Sequence, residues 1–234
     1  MSSVAERGSG LTLPKLGSYT SFLGQSGLAA EFPFDRRWSV SSAAQLACVL
    51  EATAPKVGNV HPGVAFADMH FGDFLSSSAA IEPVFAKVEQ LSVGELVLES
   101  VGATRAKVSI NTNLGTLLLF APLAKARMGG MTHQDLRTAT QKVLNGLTHE
   151  DSKAVYEAIR IAKPGGLGES MEHDVHSAAP VDLVSAMRLA GKTDAVAQQY
   201  ANGFADLFER LVPWFDEVRG SGLNIFDAIC TVQV

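Results

Sequence analysis

Cysteine is almost missing from this chain. Cys48 and Cys230 are the only two in 234 residues, far apart and without a partner motif. That excludes a disulfide scaffold and a cysteine-spaced metal site. Charge is also sparse, at 18% against 47% hydrophobic, which is far from the composition of a disordered protein. Positive charge is in deficit: 19 Lys and Arg face 24 Asp and Glu, leaving a net charge of −5. A nucleic-acid partner is therefore not expected, and any polyanion must be held by a local cluster of donors. Long apolar runs are absent. Thr116 to Ala124 is about half of the ~20 residues a spanning helix needs. The N-terminus carries Glu6 and Arg7 and then Gly- and Ser-rich sequence, with no apolar export core. Together these place the chain in the cytoplasm, away from membranes.

Familiar catalytic signatures are lacking too. There is no G-x-x-x-x-G-K-[ST], no G-x-G-x-x-G and no G-x-S-x-G. His173 and His176 have a metal-like spacing, but their Gly- and Pro-flanked surroundings read as a loop with two solvated histidines.

What is present is helical patterning. Residues 1–38, with Pro14 and scattered glycines, read as an irregular arm. Beyond it, residues 39–234 read as one all-α domain of roughly eight helices. Ser39 caps a helix over Val40–Thr53, which Pro55 ends. Further helices are expected over Phe66–Val88, with a break near Pro83, and over Gly94–Lys107. Leu114–Arg127 is apolar nearly all round and belongs at the centre, with Pro122 bending it. Thr132–Leu147, His149–Ala162, Pro180–Leu189 and Thr193–Arg219 complete the set, with Thr148 as a cap and Gly146 and Gly191 as stops. The apolar, unpunctuated end at Ile229–Val234 reads as a truncated or divergent terminus.

Four segments combine backbone-shaping residues with polar side chains. Glu51 lies in the last turn of an apolar helix, where the dipole opposes a carboxylate unless a cation compensates. Lys56, in the turn Pro55-Lys56-Val57-Gly58-Asn59-Val60, is a nearby candidate, and an ordinary surface pair is the plain alternative. On the expected second helix, Asp68 and Asp73 would diverge by about 140°. Asp68 then faces a site or simply complements the charge of the helix start, and Asp73 is structural or solvent-facing. Asn111-Thr112-Asn113-Leu114-Gly115 opens the central helix, where free N–H groups bind anions and Gly115 leaves room; a plain N-cap is the alternative. Pro164-Gly165-Gly166-Leu167-Gly168-Glu169 is a Gly-rich loop.

Taken in order, Glu51…Pro55-Lys56-x-Gly58-Asn59-Val60, Asp68-Met69…Phe74…Ser77, Asn111-Thr112-x-x-Gly115 and Gly166-x-Gly168-Glu169 resemble the triphosphoribosyl-dephospho-coenzyme A synthase family. The resemblance spans about residues 42–230. It implies an all-α transferase that takes ATP and 3′-dephospho-coenzyme A, joins a triphosphoribosyl unit to the ribose 2′-hydroxyl and releases adenine. It implies Glu51 and Asp68 as carboxylates for Mg²⁺ or for the base. It implies Lys56, Gly58 and Asn59 as a phosphate turn, and Asn111, Thr112, Asn113 and Gly115 as a second anion site. It implies Gly166, Gly168 and Glu169 as further binding residues, with Gly168-Glu169 closing the pocket. The chain departs from the family where His and Lys are usual, carrying Asn113 and Leu114, and where Arg is usual, carrying Leu167. Arg105, Lys107, Lys125 and Arg127 are the cations available to compensate. Two further readings stand beside this one: a divergent transferase using another nucleotide or phosphorylated acceptor in cofactor assembly, such as one-carbon metabolism, and a non-catalytic nucleotide-binding partner.

Overall fold

The computed structural model describes residues 38–128, 133–163 and 182–233. Among them it is all-helical, with ten α-helices and no strand. The arm at 1–37, Gly166, Gly168, Glu169, His173 and His176 lie outside the described residues. The helices are α1 (Val40–Thr53), α2 (Phe71–Phe85), α3 (Val93–Arg105), α4 (Leu114–Arg127), α5 (His133–Asn145), α6 (His149–Ala162), α7 (Leu183–Ala190), α8 (Ala195–Asn202), α9 (Val212–Gly220) and α10 (Ile225–Val232). None of them is long and apolar enough to cross a membrane.

Local chemistry sets the boundaries. The Ser39 hydroxyl accepts from the Ser42 N–H at 3.1 Å and starts α1. Ser92 with Glu95, and Thr148 with Asp151, form reciprocal capping boxes on α3 and α6. The helix expected from Phe66 begins later, at Phe71. The Phe66 N–H is spent on the Met69 carbonyl at 2.9 Å, which closes a turn instead. Asp73 then accepts from the His70 N–H at 2.8 Å and fixes the start of α2. This helix runs through Pro83 to Phe85 without breaking there. Pro83 removes a bond to the carbonyl of Ala79, which is exposed and can be solvated.

The helix expected over Thr193–Arg219 is divided. Gly203 (φ 67°) and Phe204 (φ 63°) are both left-handed, so the chain turns after α8. A π-helical turn over Leu207–Leu211 leads into α9. Pro213 has no N–H for the Glu209 carbonyl, and the Val212 N–H reaches back five residues to the Leu207 carbonyl. The last helix, α10, covers the apolar end that the sequence leaves without a stop signal. Its start is fixed by Asn224, whose Oδ1 accepts from Phe226 and Asp227 at 3.0 Å each.

α4 occupies the centre and packs against α1, α3, α5 and α8. Its Leu114, Leu117, Leu118, Ala121 and Ala124 all belong to the main core. Pro122 cannot donate to the Leu118 carbonyl, and that acceptor is taken by the Tyr200 hydroxyl of α8 at 2.7 Å. α3 and α6 meet most closely at Gly94, where an added Cβ would lie 2.6 Å from the Asp151 Cα.

Candidate functional site

The first segment of interest is the end of α1 and the turn after it. α1 ends at Ala54, which turns extended (ψ 128°) ahead of Pro55. Gly58 then adopts φ 79°, a conformation that strains any residue with a Cβ. The Lys56 carbonyl accepts from the Asn59 N–H at 3.3 Å and tightens the turn. On both sides of Lys56 the chain is anchored, with Ala54 and Val60 buried. The Lys56 ammonium is ion-paired with Oε1 of Glu51. The compensating cation that a carboxylate in the last turn of α1 requires is therefore present. The pair is a surface pair at one end only: the Lys56 side chain is 5% exposed and that of Glu51 is 44% exposed. Burial pushes the Lys56 ammonium down to about 8, and nearby Cys230 on α10 opposes that shift. At about 8 the ammonium still holds its proton at neutral pH.

Asp68 sits in the loop before α2, not on the helix, at an exposed position inside the Phe66–Met69 turn. Asp68 and Asp73 therefore do not share a helix, and Asp73 is structural, closing the capping box with His70 at the start of α2. Just upstream, His61 and Val64 exchange backbone hydrogen bonds at 3.0 and 2.9 Å, so the loop is two tight turns in series. It exposes apolar side chains: Val57, Val64 and Phe66, with Leu75 on α2.

The third segment leads into α4. Asn111 Oδ1 accepts from the Leu114 N–H at 3.1 Å, so Asn111 supplies the cap and keeps its Nδ2 as a donor. Thr112 touches Ser77 of α2, hydroxyl to hydroxyl, at 2.6 Å. The single Ser77 proton goes to the Asp73 carbonyl at 2.7 Å. Asn113 turns inward, and its Nδ2 donates to Thr104 of α3 at 3.2 Å. Gly115 does not face open space: an added Cβ would meet Val196 of α8 at 3.4 Å. The N–H groups of Gly115 and Thr116 have no acceptor among the described residues, as the helix-start geometry requires. The segment therefore ties α4 to α2 and α3 and leaves the Asn111 Nδ2 and two backbone N–H groups without a protein acceptor among the described residues.

Two of the four compensating cations are engaged elsewhere. Lys125 donates to the carbonyls of Val88, Glu89 and Leu91 at 2.8, 3.4 and 2.7 Å. Arg105 donates to the Ser109 carbonyl. Lys107 and Arg127 are exposed. Among the described residues no group of three His, Cys, Asp or Glu side chains is gathered to hold a metal.

Asp151 is a buried carboxylate that sequence reasoning passed over. It accepts from the Gly94 N–H at 2.8 Å, from the Thr148 N–H at 2.9 Å and from the Thr148 hydroxyl at 2.8 Å. Burial works to raise its carboxyl, but these donors outweigh it and the net shift is downward. The Thr148-x-x-Asp151 box was visible in the sequence; the Gly94 contact across the fold was not.

No curated protein and no solved structure matches the chain. The family model described as ATP:dephospho-CoA triphosphoribosyl transferase matches residues 37–233. That range takes in the paired Glu51 and Lys56, the Asp68 turn and the Asn111 cap, and the chain belongs to this transferase family.

Proposed function

We propose that the protein transfers a triphosphoribosyl unit from ATP to the ribose 2′-hydroxyl of dephospho-coenzyme A, with Mg²⁺ as the cofactor. The bond from the ATP ribose C1′ to adenine breaks, and a bond from C1′ to the acceptor oxygen forms. The hydroxyl proton leaves to a base, and adenine departs with a proton. The observation that carries this reading is the Glu51 carboxylate, held at one oxygen by a buried ammonium on a half-exposed side chain, within a chain of this family. A carboxylate so placed suits either removal of the hydroxyl proton or stabilisation of positive charge on the ribose as the bond to adenine breaks.

The donor set is compatible with Mg²⁺ that arrives on a phosphate chain. Mg²⁺ is commonly held by one or two carboxylates plus substrate phosphates, not by a closed protein cage. Glu51 and Asp68 are the candidate carboxylates, and no group of three potential ligands is gathered among the described residues. When bound, the ion would neutralise phosphate charge. Asn111 and the amides at the start of α4 would take a phosphate or the acceptor's anionic group.

A second reading is favoured by the placement of Lys125 and Arg105 on backbone carbonyls. With Asn113 and Leu114 in place of the family's His and Lys, a donor or acceptor with fewer phosphate charges would suit this site. Incubation with ATP, dephospho-coenzyme A and Mg²⁺, followed by chromatography for free adenine, separates the two. Adenine released only when all three are present supports the transfer. Intact ATP after long incubation overturns it and points to the other nucleotide or acceptor.

A further inference from the structure

We infer that Lys56 is a positioning residue, which acts by fixing the Glu51 carboxylate and not by gripping phosphate; this rests on the reading of the reaction given above. The pair is asymmetric. The ammonium lies inside the fold and the carboxylate lies at its surface. Oε1 of Glu51 is occupied by Lys56, and Oε2 has no protein partner among the described residues. One oxygen is thus held, and the other is without a protein partner on a half-exposed side chain.

A phosphate-gripping lysine needs a mobile, wet ammonium at the end of its stem. Lys56 has neither property, since its anchor is a tight turn between the buried Ala54 and Val60. Moving the ammonium outward would leave Glu51 uncompensated beside the negative end of α1. A buried ammonium stripped of its partner is itself costly. The charge-bearing groups that approach Lys56 are Glu51 of α1 and Cys230 of α10, with Asp227 beside Cys230. α10 packs against α1, so the C-terminal helix helps to bury the cation. Lys56 therefore serves as the inner end of a lever whose outer end is the reactive carboxylate.

Full-length Lys56→Met and Lys56→Arg, each alone and combined with Glu51→Gln, test this. For adenine release, Lys56→Met should lower kcat at least ~30-fold while KM for ATP moves less than ~3-fold, and Lys56→Arg should recover most of the rate. In the Glu51→Gln background, Lys56→Met should add little further loss. A raised KM with kcat kept, or a full additional loss in that background, overturns the inference. A readout without turnover is ¹⁵N NMR of the lysine ammonium groups. The signal that vanishes in Lys56→Arg should lose its protection from exchange in Glu51→Gln. An unchanged signal overturns the placement even if Lys56→Met fails to fold. Should the wild-type protein release no adenine, the reading of the reaction falls, and calorimetry with MgATP decides the rest. Affinity kept in Lys56→Met supports a positioning role, and a more than ~10-fold loss marks a phosphate grip.

Discussion

The hydroxyl of Thr112 gives its proton to Ser77. Ser77 has one proton and spends it on the Asp73 carbonyl, so in the 2.6 Å contact Thr112 must be the donor. Thr112 is left with lone pairs alone, and lone pairs repel a phosphate. Among the side chains of Asn111, Thr112 and Asn113, that of Asn111 alone keeps its Nδ2 without a protein acceptor, while Asn113 is buried with its Nδ2 on Thr104. Thr112→Val is therefore expected to cost about 1 kcal/mol of stability and to leave nucleotide affinity within ~3-fold. Asn111→Ala should lower both, the affinity by at least ~5-fold and the stability by about 1 kcal/mol through the lost cap. Calorimetry with MgATP and urea unfolding on the same two variants provide the comparison.

Divalent metal should depend on Asp68 and not on Asp73. Asp73 is committed to the His70 N–H at the start of α2, whereas Asp68 is exposed in its turn. In Mn²⁺ titrations, Asp68→Asn is expected to weaken binding and Asp73→Asn to leave it unchanged while lowering the melting temperature. Equal metal affinity in the two variants would count against Asp68 as a ligand.

Cations already engaged with backbone carbonyls should be dispensable for nucleotide. Lys125→Ala is expected to leave ATP affinity within ~3-fold, yet to destabilise the fold by about 2 kcal/mol, because buried carbonyls lose a charged donor. A loss of affinity without a loss of stability would reverse that assignment.

Asp151 sets an acid-side dependence. Its folded carboxyl lies below the ordinary value of 3.8. The stability it contributes is thus fully present above about pH 4–5 and is lost as pH falls through the lower folded value. Asp151→Asn should cost about 2–3 kcal/mol near neutrality, since an amide donor would face the Gly94 or Thr148 donors. The gap between the wild type and the variant should narrow below pH 4 in urea titrations. Cys48 acts at the other end, where burial pushes its thiol up to about 12. Its contribution is complete below pH 9 and declines as pH rises from there.

Helix ends were legible where a cap and a stop both lay next to the pattern, as with Ser39 and Pro55 around α1 or Thr148 before α6. They were obscured where the decisive contact was elsewhere. Phe66 looked like a helix residue by its apolarity, but its N–H is spent on Met69. Phe204 gave no warning of a left-handed break, because only glycine advertises one. In the site, the pairing of Glu51 with Lys56 followed from an uncompensated carboxylate at a helix C-terminus. The depth of Lys56 did not follow, because α10 covers it from the far end of the chain. The inward turn of Asn113 likewise depends on Thr104, on a different helix.

The contact between the Leu118 carbonyl and the Tyr200 hydroxyl, across the gap opened by Pro122, has an evolutionary consequence. Replacing Pro122 by alanine adds the helical N–H to the same carbonyl, whose two lone pairs serve both donors. Replacing Tyr200 by phenylalanine while Pro122 remains strands the carbonyl. That change leaves a polar atom dry, at about 1–3 kcal/mol, while a prior loss of Pro122 removes the cost. Descendants of this sequence should therefore lose Pro122 before Tyr200 or keep both, so the order of the two replacements is constrained.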